Sequence, residues 1–350
     1  MRVGVVGCGI VAKLYVEGSA AFESFEVVAC ADLDLESAEA FADVHGLTMA
    51  TVDELIADPS IDVVLNLTPP AAHAAVIRAA LEAGKHVYTE KPITTTVAEG
   101  RDLLAEADRR GLRIGCAPDT FLGAAYERAR RLIADGEIGT PLTASATFLV
   151  GGPDGWHPNA DFFYQAGGGP MLDIAPYYLA AIASLLGPFR AALGLATTPT
   201  PERRFGVGPR AGETFAVDVP THVVAALQLE GGALATVTVS FEAFDQYSSG
   251  LVVHGSAGSI ELPDANAFGG ALRIRNGNGE WKPVVYESAA AKETRGLGLD
   301  DMLTAIRDER PHRASGALGL HVLETALAVL RSAKEGATVE IEALEPVQPR

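Results

Sequence analysis

A short apolar run, Arg2–Val6, is followed at once by GCGIVA, and a helical pattern opens inside that stretch. Strand, glycine loop and helix in that order leave few folds open. Gly7 allows a tight turn, Gly9 keeps the backbone open to a close visitor, and the small Ala12 lets the helix pack on the strand. The start of a helix offers unpaired N–H groups, so a pyrophosphate is the visitor this arrangement suits. Gly7, Gly9, Ile10 and Val11 are the expected contacts on that side. A second strand, FEVVACAD, ends in Asp32. A carboxylate there can accept hydrogen bonds from an adenosine ribose, and no arginine stands beside it to take a 2′-phosphate. The expected cofactor is NAD, with NADP as the alternative.

Over the first 120 residues strands and helices alternate. Strands are expected at 2–6, through FEVVACAD, and at 61–68, 85–90 and 112–118. Helices are expected from Ile10, at 34–45, at DELI, at 71–83 and at 95–110. Short continuous apolar strands between helices argue for a parallel sheet covered on both faces. Ligands of such sheets lie outside the carboxyl ends of the strands. That puts Thr68 and Pro69, in NLTPPAAH, beside the cofactor. His73 either joins them or caps or packs the helix that follows.

The pattern changes near residue 120. A helix is expected at 122–134, a long strand at TPLTASATFLV, a helix at 167–187, and two strands over 221–242 joined by Gly231-Gly232. A hairpin-like SGLVVHGSAGSIELP, the strands ALRIRN and KPVVYE, and a helix at 316–335 follow. Residues 199–213 read as a surface loop able to act as a lid. Many of these strands alternate, so the expected sheet is open and largely antiparallel, with one face left for a partner. The expected fold class is α/β, with a Rossmann dinucleotide-binding domain at 1–120. A C-terminal α/β domain at 121–350 serves substrate binding and oligomerisation.

The chain's 350 residues are enough for two such domains, and 48% hydrophobic with 21% charged residues is a globular composition. A net charge of −18 disfavours nucleic acid and anionic membranes as partners. Cys8, Cys30 and Cys116 form neither a disulfide framework nor a metal-ligand spacing, and the eight histidines give no zinc pattern, so no metal is expected. An odd set of cysteines, a first strand with no signal peptide ahead of it, and apolar runs broken by charge or glycine point to the cytoplasm.

Two polar stretches stand out in the second domain. In GGGPMLDIAPYYLAAIASLLG, Asp173 and Tyr177 are four residues apart, on one side of a helix. Alone, the pair reads as well as a helix brace and a core tyrosine with a satisfied hydroxyl. In GGPDGWHPNADFFYQAGGG, Trp156 and His157 stand near Asn159 and Asp161, an aromatic platform with polar groups that suits a sugar. The alternative is a covering loop with a core tryptophan. Asp119 and Thr120 follow the last strand of the first domain. His312 and Arg313 either reach the substrate or cap the final helix.

The GxGxxA loop, TPPxxH, the EKP at 90–92 and GGGPxLDIxPY occur in that order. Together they resemble the glucose–fructose oxidoreductase, inositol dehydrogenase and rhizopine-catabolism superfamily of oxidoreductases, over nearly the whole chain. The resemblance implies an active site between the two domains and a homodimer or homotetramer formed through the open sheet. It implies that Glu90 and Lys91 stand at the cofactor, with Lys91 directed at the nicotinamide and the substrate hydroxyl. Asp119 and Thr120 lie where the family turns toward its substrate, and Asp173 is the family's helix aspartate. Position 177 is usually histidine; tyrosine there is similar to the branch holding glucose–fructose oxidoreductase and dihydrodiol dehydrogenases.

The implied activity is hydride transfer between a nicotinamide cofactor and a hydroxyl or carbonyl carbon of a sugar, sugar derivative or cyclic polyol. A free tyrosine titrates at about 10, and a nearby lysine cation lowers that value. Tyr177 then exchanges the proton while Lys91 stabilises charge on the reacting oxygen, or Lys91 is itself the base. Asp173 orients a hydroxyl or Lys91. A different class, a non-catalytic dinucleotide- and sugar-binding sensor, is opposed by the intact Lys91, Asp173 and Tyr177.

Overall fold

The computed structural model describes residues 1–243, 248–288 and 294–342, and these divide into two compact units. The first unit opens with β1 (Arg2–Val6), α1 (Ile10–Ser19), β2 (Glu26–Ala31), α2 (Leu35–His45), β3 (Thr48–Met49) and α3 (Val52–Ala57). It continues with β4 (Val63–Asn66), α4 (Pro70–Glu82), β5 (His86–Thr89), α5 (Val97–Arg110) and β6 (Ile114–Cys116). The six strands are parallel, in the order β3-β2-β1-β4-β5-β6.

The strands form where the apolar runs are unbroken, because both faces are covered. Val3, Val5, Val63, Val64, Leu65 and Val87 have no exposed surface. Local signals bound the helices. The Asp34 carboxylate accepts from the amides of Glu36 and Ser37 at the start of α2, and Thr51 with Glu54 forms a capping box on α3. The strand order reverses at β1, so the loops after β1 and β4 leave in opposite directions and open a crevice outside their carboxyl ends.

The second unit contains α6 (Ala124–Ala134), β7 (Pro141–Leu149), α7 (Pro170–Asp173), α8 (Ala175–Leu186), β8 (Phe189–Thr197), β9 (Glu202–Arg204), β10 (Thr214–Ala216), β11 (His222–Leu229) and β12 (Leu234–Ser240). It continues with β13 (Ser248–Gly255), β14 (Gly258–Leu262), β15 (Arg273–Asn276) and β16 (Lys282–Pro283). Later in the chain come α9 (Leu297–Arg307), which belongs to the first unit, α10 (Gly316–Glu335), which passes from the first unit into the second at His321, and β17 (Val339–Glu340) of the second. Nine strands form one sheet, β16-β15-β14-β13-β7-β12-β11-β8-β17, with β7 and β12 parallel and every other pair antiparallel. Val223, Val237, Val239, Leu251 and Val253 are fully buried on one face, and α8 packs against β7 and β12. The expected α/β class, with a Rossmann sheet and a largely antiparallel second sheet, is the observed one.

Three details differ from the sequence reading. The expected helix at 167–187 is broken at Ile174 into α7 and α8. Pro176 is the cause: it brings no N–H for the Leu172 carbonyl, and proline disfavours helical geometry at the residue before it. The expected lid contains β9 and leads into β10, and these two strands pair with each other. Residues 294–320, read as belonging to the C-terminal half, pack in the first unit. There Ser315 bridges Gly115, and Leu320 sits so close over Gly100 that a Cβ would lie 2.5 Å from it. No helix among the described residues is long and apolar enough to cross a membrane.

Candidate active site

The glycine loop has the geometry its sequence implied. Gly7 has φ +100°, and a Cβ there would lie 2.7 Å from the Leu67 backbone, so only glycine fits. At Gly9 a Cβ would meet nothing within 4 Å, which leaves the backbone bare where a pyrophosphate would lie. α1 starts at Ile10, and Ile10 is 72% exposed, so the helix N–H groups open outward. Val11 beside it is 37% exposed. Asp32 Oδ2 accepts the Cys8 amide at 2.8 Å, and Oδ1 accepts the Asp34 amide at 3.0 Å. A carboxylate has about four acceptor positions, so both oxygens keep capacity for ribose hydroxyls. These residues fit a dinucleotide.

After β4, Asn66 Oδ1 accepts the Thr68 hydroxyl at 2.7 Å, and Pro69 is exposed at the crevice. His73 is an interior residue of this unit. It is fully buried, and its two ring nitrogens face the carbonyl oxygens of Thr68 and Pro92.

After β5, Glu90 is gripped from two sides: Oε1 accepts the Tyr15 hydroxyl at 3.1 Å, and Oε2 accepts the Lys91 amide at 3.1 Å. Lys91 is half-buried directly beyond the strand. Asp119 and Thr120 have no exposed surface. Asp119 has interior partners. Oδ2 accepts the Gly298 amide at 2.9 Å, and Arg295 lies 3.5 Å from Oδ1. Burial pushes the Asp119 carboxyl up, while Arg295 and the Gly298 amide pull it down. Burial likewise raises the hydroxyls of Tyr15 and Tyr88, which pack edge-on with ring centres 6.4 Å apart. Tyr15, Tyr88 and Arg295 escaped the sequence reading, since nothing local marks a tyrosine or arginine as a neighbour of Glu90 or Asp119. His312 is buried with Nε2 on the Ile114 carbonyl at 3.1 Å, so it is a structural residue of this unit.

In the second unit Tyr177 is 7% exposed and Asp173 half-buried, one on each side of the break at Ile174. Trp156 is 66% exposed and Phe162 51% exposed, so the tryptophan is not a core residue. His157 contacts both by its edge, with centroids 5.5 and 5.4 Å away, and its Nδ1 accepts the Asn159 amide at 3.1 Å. This shelf rests on a polar base that the sequence did not announce. Arg203 is 4% exposed; it donates to the carbonyls of Gly151 and Phe241 and pairs with Asp154 and Glu242. Asp154 also accepts the Tyr164 hydroxyl, and Arg210 pairs with Asp161 at 2.8 Å. β9 and β10 are thereby pinned to the loop that carries Trp156. Among the described residues no group of three or more His, Cys, Asp and Glu side chains is placed to hold a metal.

A doubly wound parallel sheet, a glycine loop at a helix start and an acid ending the second strand define a dinucleotide-binding protein of the Rossmann type. Known proteins carry the assignment further. Residues 1–117 match the oxidoreductase family with an NAD-binding Rossmann fold, and residues 126–261 match the GFO/IDH/MocA C-terminal domain. The 1,5-anhydro-D-fructose reductase of Ensifer adhaerens is 28% identical over 97% of this chain and 98% of its own. The trans-1,2-dihydrobenzene-1,2-diol dehydrogenase of Bos taurus is 31% identical over 88% of both chains. A levoglucosan dehydrogenase structure, in complex with NADH and levoglucosan, superposes with a TM-score of 0.85 at 25% identity, covering 97% of this chain and 99% of that one. The chain belongs to the Gfo/Idh/MocA family of NAD(P)-dependent oxidoreductases. Its cofactor is a nicotinamide dinucleotide.

Proposed function

We propose that the protein is an NAD-preferring dehydrogenase or reductase acting on a secondary or anomeric hydroxyl of a pyranose sugar, a sugar derivative or a related cyclic polyol. The observation that carries this reading is the exposed Trp156 and Phe162 shelf with His157 at its centre, held on a buried arginine in the same unit as Asp173 and Tyr177. Sugars use such aromatic faces together with convergent polar groups. The names of the relatives support it: they act on an anhydro-sugar and on a cyclic diol.

The cofactor, when bound, accepts or supplies the hydride. The chain's residues do the rest. Gly9 and the start of α1 would hold the pyrophosphate, and Asp32 the adenosine ribose. Lys91 hydrogen-bonds the reacting oxygen and stabilises its developing charge. Tyr177 takes the hydroxyl proton in oxidation and returns it in reduction, and Asp173 orients a neighbouring hydroxyl.

The test is a panel of pyranoses, anhydro-sugars and cyclic polyols with NAD, read at the reduced-nicotinamide band, followed by kcat/KM against pH for the native protein and Tyr177→Phe. A flattened limb in the variant is the expected result. A best substrate without ring hydroxyls would sink the sugar reading. Full turnover with an unchanged profile would remove Tyr177.

The assembly is proposed to be a homodimer or homotetramer in the cytosol. Leu193, Leu195, Val224 and Leu234 are between 41% and 74% exposed on the open face of the nine-stranded sheet. Ala226, Thr236, Thr143 and Ser145 join them in register, so the middle strands of this face pair apolar and hydroxyl side chains, while charged residues stand toward its edges at Glu261, Arg273 and Glu340. A second copy would cover it. Light scattering that finds only monomer at micromolar concentration would overturn the assembly.

A further inference from the structure

We propose that His73 carries protons on both ring nitrogens and acts as a strap between the cofactor loop and the Lys91 loop, a positioning residue for Lys91. Nδ1 lies 2.6 Å from the Pro92 carbonyl oxygen, and Nε2 lies 2.8 Å from the Thr68 carbonyl oxygen. A carbonyl oxygen has lone pairs and no proton, so it only accepts. A neutral imidazole has one N–H and one lone pair. Either tautomer therefore satisfies one carbonyl and turns a lone pair on the other within hydrogen-bonding distance. With both nitrogens protonated, both contacts become charge-assisted donations, which are shorter and roughly twice as strong as neutral ones.

The placement gives the strap its purpose. His73 is on the first turns of α4, fully buried, and its own carbonyl accepts from Asn66 Nδ2 at 3.3 Å. Asn66 ends β4 and also fixes the Thr68 hydroxyl. One ring thus joins the end of β4, the Thr68–Pro69 turn and the segment that follows Lys91. Pro92 is bonded directly to Lys91, and proline supplies no N–H of its own to hold the segment. The carbonyl taken by His73 is the nearest backbone group beyond Lys91 that can be held in this way. A shift of about 1 Å in a group that handles the reacting oxygen costs roughly 10²-fold in rate. Removing the strap should therefore be read in turnover more than in cofactor affinity, which rests on Gly9, α1 and Asp32.

The kinetic consequence rests on Lys91 acting at the reacting hydroxyl; the protonation of the ring does not. The experiment separates the two. The native protein is labelled with 15N-histidine, and His73 is assigned by the signals missing from His73→Gln. Two N–H protons and two protonated nitrogen shifts at neutral pH are expected for His73, and one unprotonated nitrogen would overturn the proposal. In parallel, His73→Gly is assayed with two additives of equal size. Protonated 4-methylimidazole carries two N–H groups, and protonated 1-methylimidazole carries one. Turnover should fall about 10–100-fold in the variant, with the dissociation constant for NADH changed less. The 4-methyl compound should recover turnover and the 1-methyl compound should not.

Equal recovery by both additives, or full turnover in His73→Gly, would reject the strap. If His73→Gly does not fold, the native spectrum decides. A doubly protonated His73 in a protein that turns over nothing in the sugar panel would reject the substrate reading and leave the double donor standing.

Discussion

The Cys8 amide donates to Asp32 Oδ2 at 2.8 Å, tying the glycine loop directly to the acid at the end of the second strand. The Asp34 amide takes the other oxygen, so the carboxylate is oriented before any ligand arrives. A carboxylate held in this way repels a 2′-phosphate and accepts from ribose hydroxyls. Asp32→Ala should weaken NAD binding and narrow the preference over NADP. Titrations of both oxidised cofactors check it. Native protein that binds NADP as tightly as NAD would contradict the preference.

Gly7 and Gly9 should respond in opposite ways. Alanine at Gly7 meets the Leu67 and Thr68 backbone at 2.7–2.8 Å with φ at +100°, so Gly7→Ala should destabilise the fold by about 1–3 kcal/mol or more. Alanine at Gly9 meets no protein atom within 4 Å, so Gly9→Ala should melt like the native protein while binding NADH at least about tenfold more weakly, because the methyl occupies the pyrophosphate's space. Thermal melting and a fluorescence titration of NADH separate the two. A Gly9→Ala protein with native affinity would show that the dinucleotide does not approach the loop there.

Lys91→Met should lower kcat by roughly 10²–10⁴-fold, since it removes both a hydrogen bond to the reacting oxygen and the charge that stabilises it. Cofactor affinity should change less. Steady-state kinetics with an isotope-substituted substrate, which reports whether chemistry limits the rate, is the check. Turnover above half the native value under chemistry-limited conditions would take Lys91 out of the reaction.

Acid should destabilise the second unit through His321. Its Nε2 accepts the Phe189 amide at 2.9 Å, its ring lies 5.9 Å from that of Phe189, and burial holds its pKa down to about 4. The folded value lies below the unfolded value of about 6.5, so the unfolded chain takes up the proton first as pH falls. The stability is complete above about pH 6.5, declines between about 6.5 and about 4, and then levels, a loss of about 3 kcal/mol from this group. His321→Gln keeps an acceptor for Phe189 and carries no titration, so urea unfolding across that window should show a shallower decline. An equal slope in both proteins would assign the acid sensitivity elsewhere, with the buried His312, also held down to about 4, as the next group to test.

Gly298 marks how closely the start of α9 approaches the first sheet. A Cβ there would lie 2.1 Å from the Tyr88 hydroxyl and 2.7 Å from Asp119 Cβ. Gly298→Ala should cost about 1–3 kcal/mol by overpacking. Calorimetry checks it, and a melting temperature within error of native would mean that Tyr88 has room to yield.

What the sequence alone determined was carried by short-range pattern. The strand, glycine loop, helix and second-strand acid follow one another within a few turns, and each residue type answers a local need for space, charge or backbone freedom. Alternation along β11, β12 and β13 likewise announced an open sheet, because side chains on successive residues must face opposite ways. The tertiary structure decided what those patterns could not carry. Asp119 follows the last strand of the first sheet, and its partner Gly298 lies 179 residues away in the chain. For His73 the sequence leaves cofactor contact and packing both open, and the structure adds that its ring faces two carbonyls that follow different strands. The loop that carries Trp156 is tied down by Arg203, whose partners Gly151, Asp154, Phe241 and Glu242 come from segments on either side of it in sequence. In each case the deciding atoms are backbone groups or distant side chains, and a buried polar group is assigned its task by whichever partner satisfies it, which only the folded chain brings within reach.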